Sequence, residues 1–214
     1  MAPRTRNRRI EALLEQEKWD EARKLINKAL AHDPENHWLL TQLGVTYYEK
    51  RDYAESIRRF LSSLDIVSNC PLTLWNLAGA LDAIGKPEAA VPIYAWLIRT
   101  NKSADDDPCW ESKDWADALK TDCVYRLGLC FEHMNRRDSS EHCFRQYVNL
   151  LLAGMNGTYS MDDVARHIRD VHTAKKQTKN VRQAIDSTLQ DVGIQSLLSG
   201  PNLPELSLDE LLAP

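Results

Sequence analysis

The chain has 214 residues, 43% of them hydrophobic, with only 8 Gly and 9 Pro and a formal net charge of −4 from 27 Lys+Arg against 31 Asp+Glu. That hydrophobic share excludes a wholly disordered chain, and the scarcity of glycine and proline excludes a fold of many short strands and turns, which leaves helices. The mild acidity argues against a surface given over to nucleic acid or an anionic membrane, although a local basic patch remains compatible with either.

From the amino terminus, Arg4, Arg6, Arg8 and Arg9 are followed by no apolar core, so the segment does not read as a secretory signal. Glu11, Glu15 and Glu17 come too soon for a mitochondrial presequence. No apolar run approaches the ~20 residues that cross a bilayer. Cys70, Cys109, Cys123, Cys130 and Cys143 follow no Cys-x-x-Cys or disulfide spacing and read as reduced thiols, so the expected location is cytoplasmic.

Internal similarity sets the architecture. Four segments each run from a polar turn to a small residue and then to an aromatic or aliphatic residue four positions on. The small residues are Ala22, Ser56, Ala90 and Ser140. The first three are spaced by 34 and 34, and the last step of 50 is 34 plus an insertion of 16. A fixed period of this length, built of two helical patterns, is the signature of stacked helix–turn–helix units. The units run 3–36, 37–70, 71–104 and 121–154, with an acidic insertion at 105–120.

The residues inside the units resemble the tetratricopeptide repeat (TPR) family. The second unit has Leu40, Leu43-Gly44, Tyr47, Ser56 and Phe60, and the fourth has Val124, Leu127-Gly128, Phe131, Ser140 and Phe144. The third reads Leu74, Leu77-Ala78, Leu81, Ala90 and Tyr94. The first keeps Ala22, Ile26, Ala29 and Pro34 but departs in its first helix at Arg6, Arg9 and Ile10, as suits a terminal unit. The resemblance implies an all-α, right-handed TPR-like helical solenoid. A small residue at Gly44, Ala78 and Gly128 lets the two helices of a unit approach, while Tyr47, Leu81 and Phe131 fill the space one turn on. Glu132 is expected on the solvent or groove side.

In the insertion, Asp105-Asp106-Asp107-Pro108 predicts a helix stop. Trp115, Leu119, Cys123, Leu127 and Cys130 then form an apolar stripe that extends the first helix of the fourth unit. Trp110 and Trp115 read as a cover over the core beside the insertion in preference to an aromatic binding knob.

After Gly154 a long amphipathic helix is predicted over 160–192, with Ser160 and Asp163 as a capping box and Met161, Val164, Ile168, Val171, Thr178, Val181, Ile185 and Leu189 as its stripe. It is expected to cap the last unit. From Val164 to Ile185 it carries Arg166, Arg169, Lys175, Lys176, Lys179 and Arg182 against Asp170, a balance of 6 − 1 = +5. The charge reads as a solvated face with the acidic insertion as its internal partner; the alternative is a nucleic-acid-associated helical-repeat protein that uses this basic helix. The segment 193–214 reads as a flexible acidic-apolar tail in which Leu203, Leu206, Leu208, Leu211 and Leu212 are spaced for docking or self-association.

No phosphate-cradling loop, nucleophile elbow or His-Glu-x-x-His is present. Cys130 with His133, and His142 with Cys143, are the one Cys/His grouping that the spacing offers, and buried thiols are the simpler reading. The sequence therefore predicts no catalytic residues, no metal, no cofactor and no enzyme. What remains is a non-catalytic protein- or peptide-binding adaptor or scaffold. The family resemblance implies that first helices line a concave groove, which places Trp38, Thr41, Gln42, Val45 and Tyr48 of the second unit on its wall. The third unit would add Leu72, Trp75, Asn76 and Gly79, and the fourth Asp122, Tyr125, Arg126 and Leu129. The lysines by which some TPR modules clamp chaperone carboxylate tails are missing at such positions, where Asn7 and Asn76 are the familiar residues. A floor of Trp38, Trp75 and Tyr125 predicts an apolar or amphipathic peptide.

Overall fold

A computed structural model describes residues 3–100 and 108–192. Among them the chain forms helices and no strand: α1 (Pro3–Glu15), α2 (Trp19–Leu30), α3 (His37–Glu49), α4 (Tyr53–Ile66), α5 (Pro71–Ala83) and α6 (Pro87–Arg99). A 3-10 turn at Pro108–Trp110 then leads to α7 (Lys113–His133), α8 (Arg137–Leu152) and α9 (Met161–Val192). The acidic run Asp105–Asp107, the side chains of Ile185 and Leu189, and the tail 193–214 with its leucines lie outside the described residues.

The 34-residue period is written in the backbone. α1, α3, α5 and α7 each end in a residue in the left-handed region: Glu17 (φ 56°), Arg51 (φ 60°), Gly85 (φ 76°) and Asn135 (φ 58°). Their spacings of 34, 34 and 50 repeat those of the small residues. At each, the next amide donates five residues back, Lys18 to Leu13, Asp52 to Tyr47 and Lys86 to Leu81 at 2.9 Å and Arg136 to Phe131 at 2.7 Å. This is the Schellman closure, which glycine fits without a Cβ penalty. Arg51→Gly is therefore expected to raise stability by about 0.5–1 kcal/mol, the relief of left-handed strain less glycine's entropy in the unfolded chain. A lower urea midpoint for this variant would show that the turn is unstrained.

Within a unit, the small residue does what its position requires. A Cβ on Gly44 would stand 2.5 Å from Phe60, and one on Gly128 2.7 Å from Phe144, so each ring lies directly against bare backbone. In the first unit Ile10 takes this place and is wholly buried with Ala22 and Ile26. The interface of the second and third units holds a buried hydroxyl cluster: Thr41 Oγ1 lies 2.9 Å from Ser63 Oγ and 2.7 Å from Thr73 Oγ1. α7 starts at Lys113 and runs the apolar stripe of the insertion into the fourth unit. Trp110 is wholly buried in that core and meets Trp115 edge to face at 6.4 Å, so the pair serves packing.

The C-terminal helix caps the solenoid through its first half. Ser160 and Asp163 close the capping box, Asp163 N donating to Ser160 Oγ at 3.1 Å and Ser160 N to Asp163 Oδ2 at 3.3 Å. Val164 and Ile168 pack on Tyr125, Phe144 and Tyr147, whereas Val181 is exposed. Among the described residues its basic face pairs with α8, where Lys175 Nζ reaches Asp138 at 2.5 Å and Glu141 at 2.6 Å and His172 reaches Glu141 at 2.9 Å, and within α9, where Arg166 pairs with Asp163. Glu132 also departs from expectation, since it pairs with His167 of α9 at 2.8 Å in place of facing open solvent.

Burial pushes the Glu141 carboxyl up, but hydrogen bonds from Lys175, His172 and Arg145 outweigh it and hold the group at about 2 against an ordinary 4.5. A depressed carboxyl stabilises the fold fully above its unfolded value and loses that contribution as pH falls through its folded value. Docking of α9 is thus expected to weaken between about pH 4.5 and 2, and Glu141→Gln to flatten this part of the profile, as followed by hydrogen exchange of α9 amides.

Candidate functional site: an aromatic face around Arg126

Arg126 projects from the middle of α7, one residue after Tyr125 and one turn after Asp122. Its guanidinium carbon lies 5.4 Å from the Trp75 ring on α5 and 5.5 Å from the ring of Tyr159, in the loop before α9. Trp75 is held edge to face by Tyr94 of α6 at 5.5 Å. The hydroxyls of Tyr94 and Tyr48 would lie 3.7 and 3.8 Å from a Cβ on Gly79, so the bare backbone of α5 leaves room for both phenols.

The electrostatics of this cluster are lopsided. Among the described residues no carboxylate forms an ion pair with Arg126, and its buried Nε has no hydrogen-bond partner. Burial works to lower its pKa, and the fields of Tyr159, Tyr94 and Tyr48 more than offset that. Burial likewise raises the phenols, Tyr159 to about 12 despite the opposing pull of Arg126, so they stay protonated and available as donors. A charged guanidinium walled by aromatic rings, with one donor unmatched, is arranged to receive an anion.

The remaining residues singled out in the sequence are placed differently. Thr41 belongs to the buried hydroxyl cluster, and Gln42 is buried. Trp38 packs toward the first unit and, with Leu72, lines a separate cavity at the start of α3 and α5. Val45 packs on the Phe60 cluster, and Asn76 Nδ2 donates to its own helix at Leu72 O, 2.8 Å away. Asp122 and Tyr125 hold the loop that precedes α9. Thr158 gives Asp122 its amide at 2.8 Å and its hydroxyl at 2.5 Å, and the Tyr125 ring stacks on Tyr159 at 3.8 Å. Leu129 packs beside them. The structure therefore brings together Tyr48, Trp75, Gly79 and Arg126. It adds Tyr94, which the repeat pattern marked only as a packing aromatic, and Tyr159, which sits in an aperiodic loop that no helical pattern reaches.

The Cys/His pairs of the fourth unit do not form a site. Cys130 and Cys143 are wholly buried, burial raising the Cys143 thiol to about 12. His133 Nδ1 turns instead to Asp82 at 2.8 Å. Among the described residues no helix is long and apolar enough to cross a membrane.

The tetratricopeptide repeat family model matches residues 13–71. The β-barrel assembly-enhancing protease of Escherichia coli (strain K12) is 32% identical over 105 residues, which are 49% of this chain and 21% of that protein. Its Shigella flexneri counterpart gives the same figures. The chain thus spans about a fifth of the length of these curated relatives. Of solved structures, MamA residues 41 to the end from Desulfovibrio magneticus RS-1 superposes with a TM-score of 0.60 at 15% identity, covering 90% of this chain and 96% of that one. The crystal structure of MamA protein gives 0.55 at 16%, covering 91% and 94%. These likenesses establish the fold: the described chain is a TPR-like solenoid closed by a C-terminal helix.

Proposed function

We propose that this tetratricopeptide-repeat solenoid is a non-catalytic adaptor or scaffold that binds a protein segment on the face shared by α3, α5 and α7, and that the segment is amphipathic and presents an acidic group to Arg126. The observation that carries the reading is the guanidinium itself, charged and half-buried beside Trp75 and Tyr159, with no carboxylate partner among the described residues. Its Nε is buried without a partner, and a ligand carboxylate at the accessible end of the guanidinium would give the charge a bidentate acceptor in a partly desolvated setting. Trp75 and Tyr48 supply the flat apolar surface on which peptide side chains gain burial energy. The reading is non-catalytic because the thiols of the fourth unit serve packing, and the likeness to a protease extends over 21% of that protein. It places the protein in the cytoplasm, where cysteines outside disulfides stay reduced.

A random peptide library displayed against the full chain tests this. Recovered sequences are expected to combine apolar residues with Asp or Glu, and to bind Arg126→Gln roughly 30-fold more weakly, or about 2 kcal/mol, and Trp75→Ala by more than ~1 kcal/mol. Recovery of basic sequences, or equal affinity for both variants at unchanged helicity, refutes it. The second reading, a nucleic-acid-associated protein, draws on Arg169, Lys176, Lys179 and Arg182, all exposed on α9. Binding of a DNA or RNA duplex that falls steeply between low and moderate salt would favour it.

A further inference from the structure

At the opposite end of α3 and α5 from their Schellman turns, three residues far apart in the chain converge. His37 is the first residue of α3, Cys70 is the N-cap of α5, and Cys109 lies in the 3-10 turn that precedes α7. One ligand atom from each lies within 4.8 Å of the other two. We propose that His37, Cys70 and Cys109 bind a thiophilic divalent cation, zinc by the chemistry of the set.

Two thiolates and an imidazole are a borderline-soft donor set that favours zinc over calcium or magnesium, which take oxygen ligands. Tetrahedral zinc with bonds of about 2.0–2.3 Å needs donors roughly 3.3–3.8 Å apart, so the trio requires only a small inward movement of side chains. The three face a cavity of about 200 Å³ that is also lined by Glu111, whose carboxylate or a water would complete the shell.

The backbone under each ligand is fixed by the core. The His37 carbonyl accepts the hydroxyls of Thr41 and Ser63, both at 2.9 Å. Cys70 is anchored by its carbonyl, which accepts Leu74 N at 3.0 Å, and by Pro71 behind it. Cys109 is carried into place by the adjoining Trp110, wholly buried. A site so supported loses little order on binding metal. The repeat also explains why the ligands meet: His37 and Cys70 are 70 − 37 = 33 residues apart, one short of the period, so they stand at equivalent ends of adjacent first helices. The bound cation ties the turn that begins at Pro108 to the second and third units.

Chelator-treated full chain under reductant, titrated with Co²⁺ alone and then with Zn²⁺, decides this. Expected are one equivalent of Co²⁺, a thiolate-to-cobalt charge-transfer band, its loss on adding Zn²⁺, and a higher Tm with Zn²⁺. Cys109→Ser and His37→Gln should each weaken binding at least ten-fold with circular dichroism unchanged, and His142→Gln should not. If Cys109→Ser misfolds, His37→Gln alone serves, because the band should then weaken and shift. Absence of the band in the native chain overturns the proposal, as does a band unaltered in His37→Gln.

Discussion

Leucine in place of Gly128 is expected to lower the free energy of unfolding by about 2–3 kcal/mol, the upper part of the range for overpacked cores. A Cβ at this position already stands 2.7 Å from Phe144 Cε1 and 2.9 Å from Cδ1. The Phe144 ring has nowhere to retreat, since it is wholly buried, with Tyr125 5.4 Å away on one side and the His167 ring stacked at 4.9 Å on another. Relief therefore demands that α7 and α8 separate, which would also strain the seat of α9. Gln146→Ala, an exposed change on the same α8, should stay within about 0.5 kcal/mol. Equal urea midpoints for the two variants would mean that the helix pairing is in another register.

Removing everything after Gly154 is expected to be as damaging, and its readout includes association. Truncation strips Tyr159, Val164 and Ile168 from Tyr125, Phe144 and Tyr147. It also leaves the buried Asp122 carboxylate without the amide and hydroxyl of Thr158, and Tyr147 without the Tyr159 carbonyl that its hydroxyl donates to at 2.9 Å. Each fully buried apolar side chain contributes about 1.5–3 kcal/mol, so a loss above ~3 kcal/mol is expected. The bared aromatic face should drive oligomers in light scattering, as for solenoids without a polar terminal unit. A monomeric fragment 1–154 with unchanged Tm would show that α9 is not a cap.

What the sequence made legible was what repeats. Ala22, Ser56, Ala90 and Ser140 marked the second helix of each unit, and Gly44 and Gly128 marked the close approaches, because local spacing alone carries that information. Contacts that depend on a loop crossing back were not legible. Nothing periodic connects Thr158 to Asp122 or Tyr159 to Tyr125, and Gly157 earns its place only from the Tyr147 hydroxyl, which a Cβ there would meet at 2.3 Å. Polar residues within helices misled in a consistent way: Thr41, Ser63 and Thr73 satisfy one another in the core, so a polar residue on a first helix is not thereby a groove residue. Family resemblance puts Arg126 on the groove wall, yet its half-buried seat among aromatic rings without a carboxylate partner is a tertiary property. The pairing of Lys175 with Asp138 and Glu141 is of the same kind, since neither carboxylate carries a sequence signal that it faces α9.

The surface proposed to receive the partner is the aromatic face around Arg126 and not the basic half of α9. Its most direct test is NMR of the full chain titrated with a peptide recovered from the display selection. The Trp75 indole and the Arg126 Nε resonances are expected to move together and saturate, while Arg169, Lys176, Lys179 and Arg182 of α9 stay still. Shifts confined to those four α9 residues, with Trp75 and Arg126 unmoved, would contradict it.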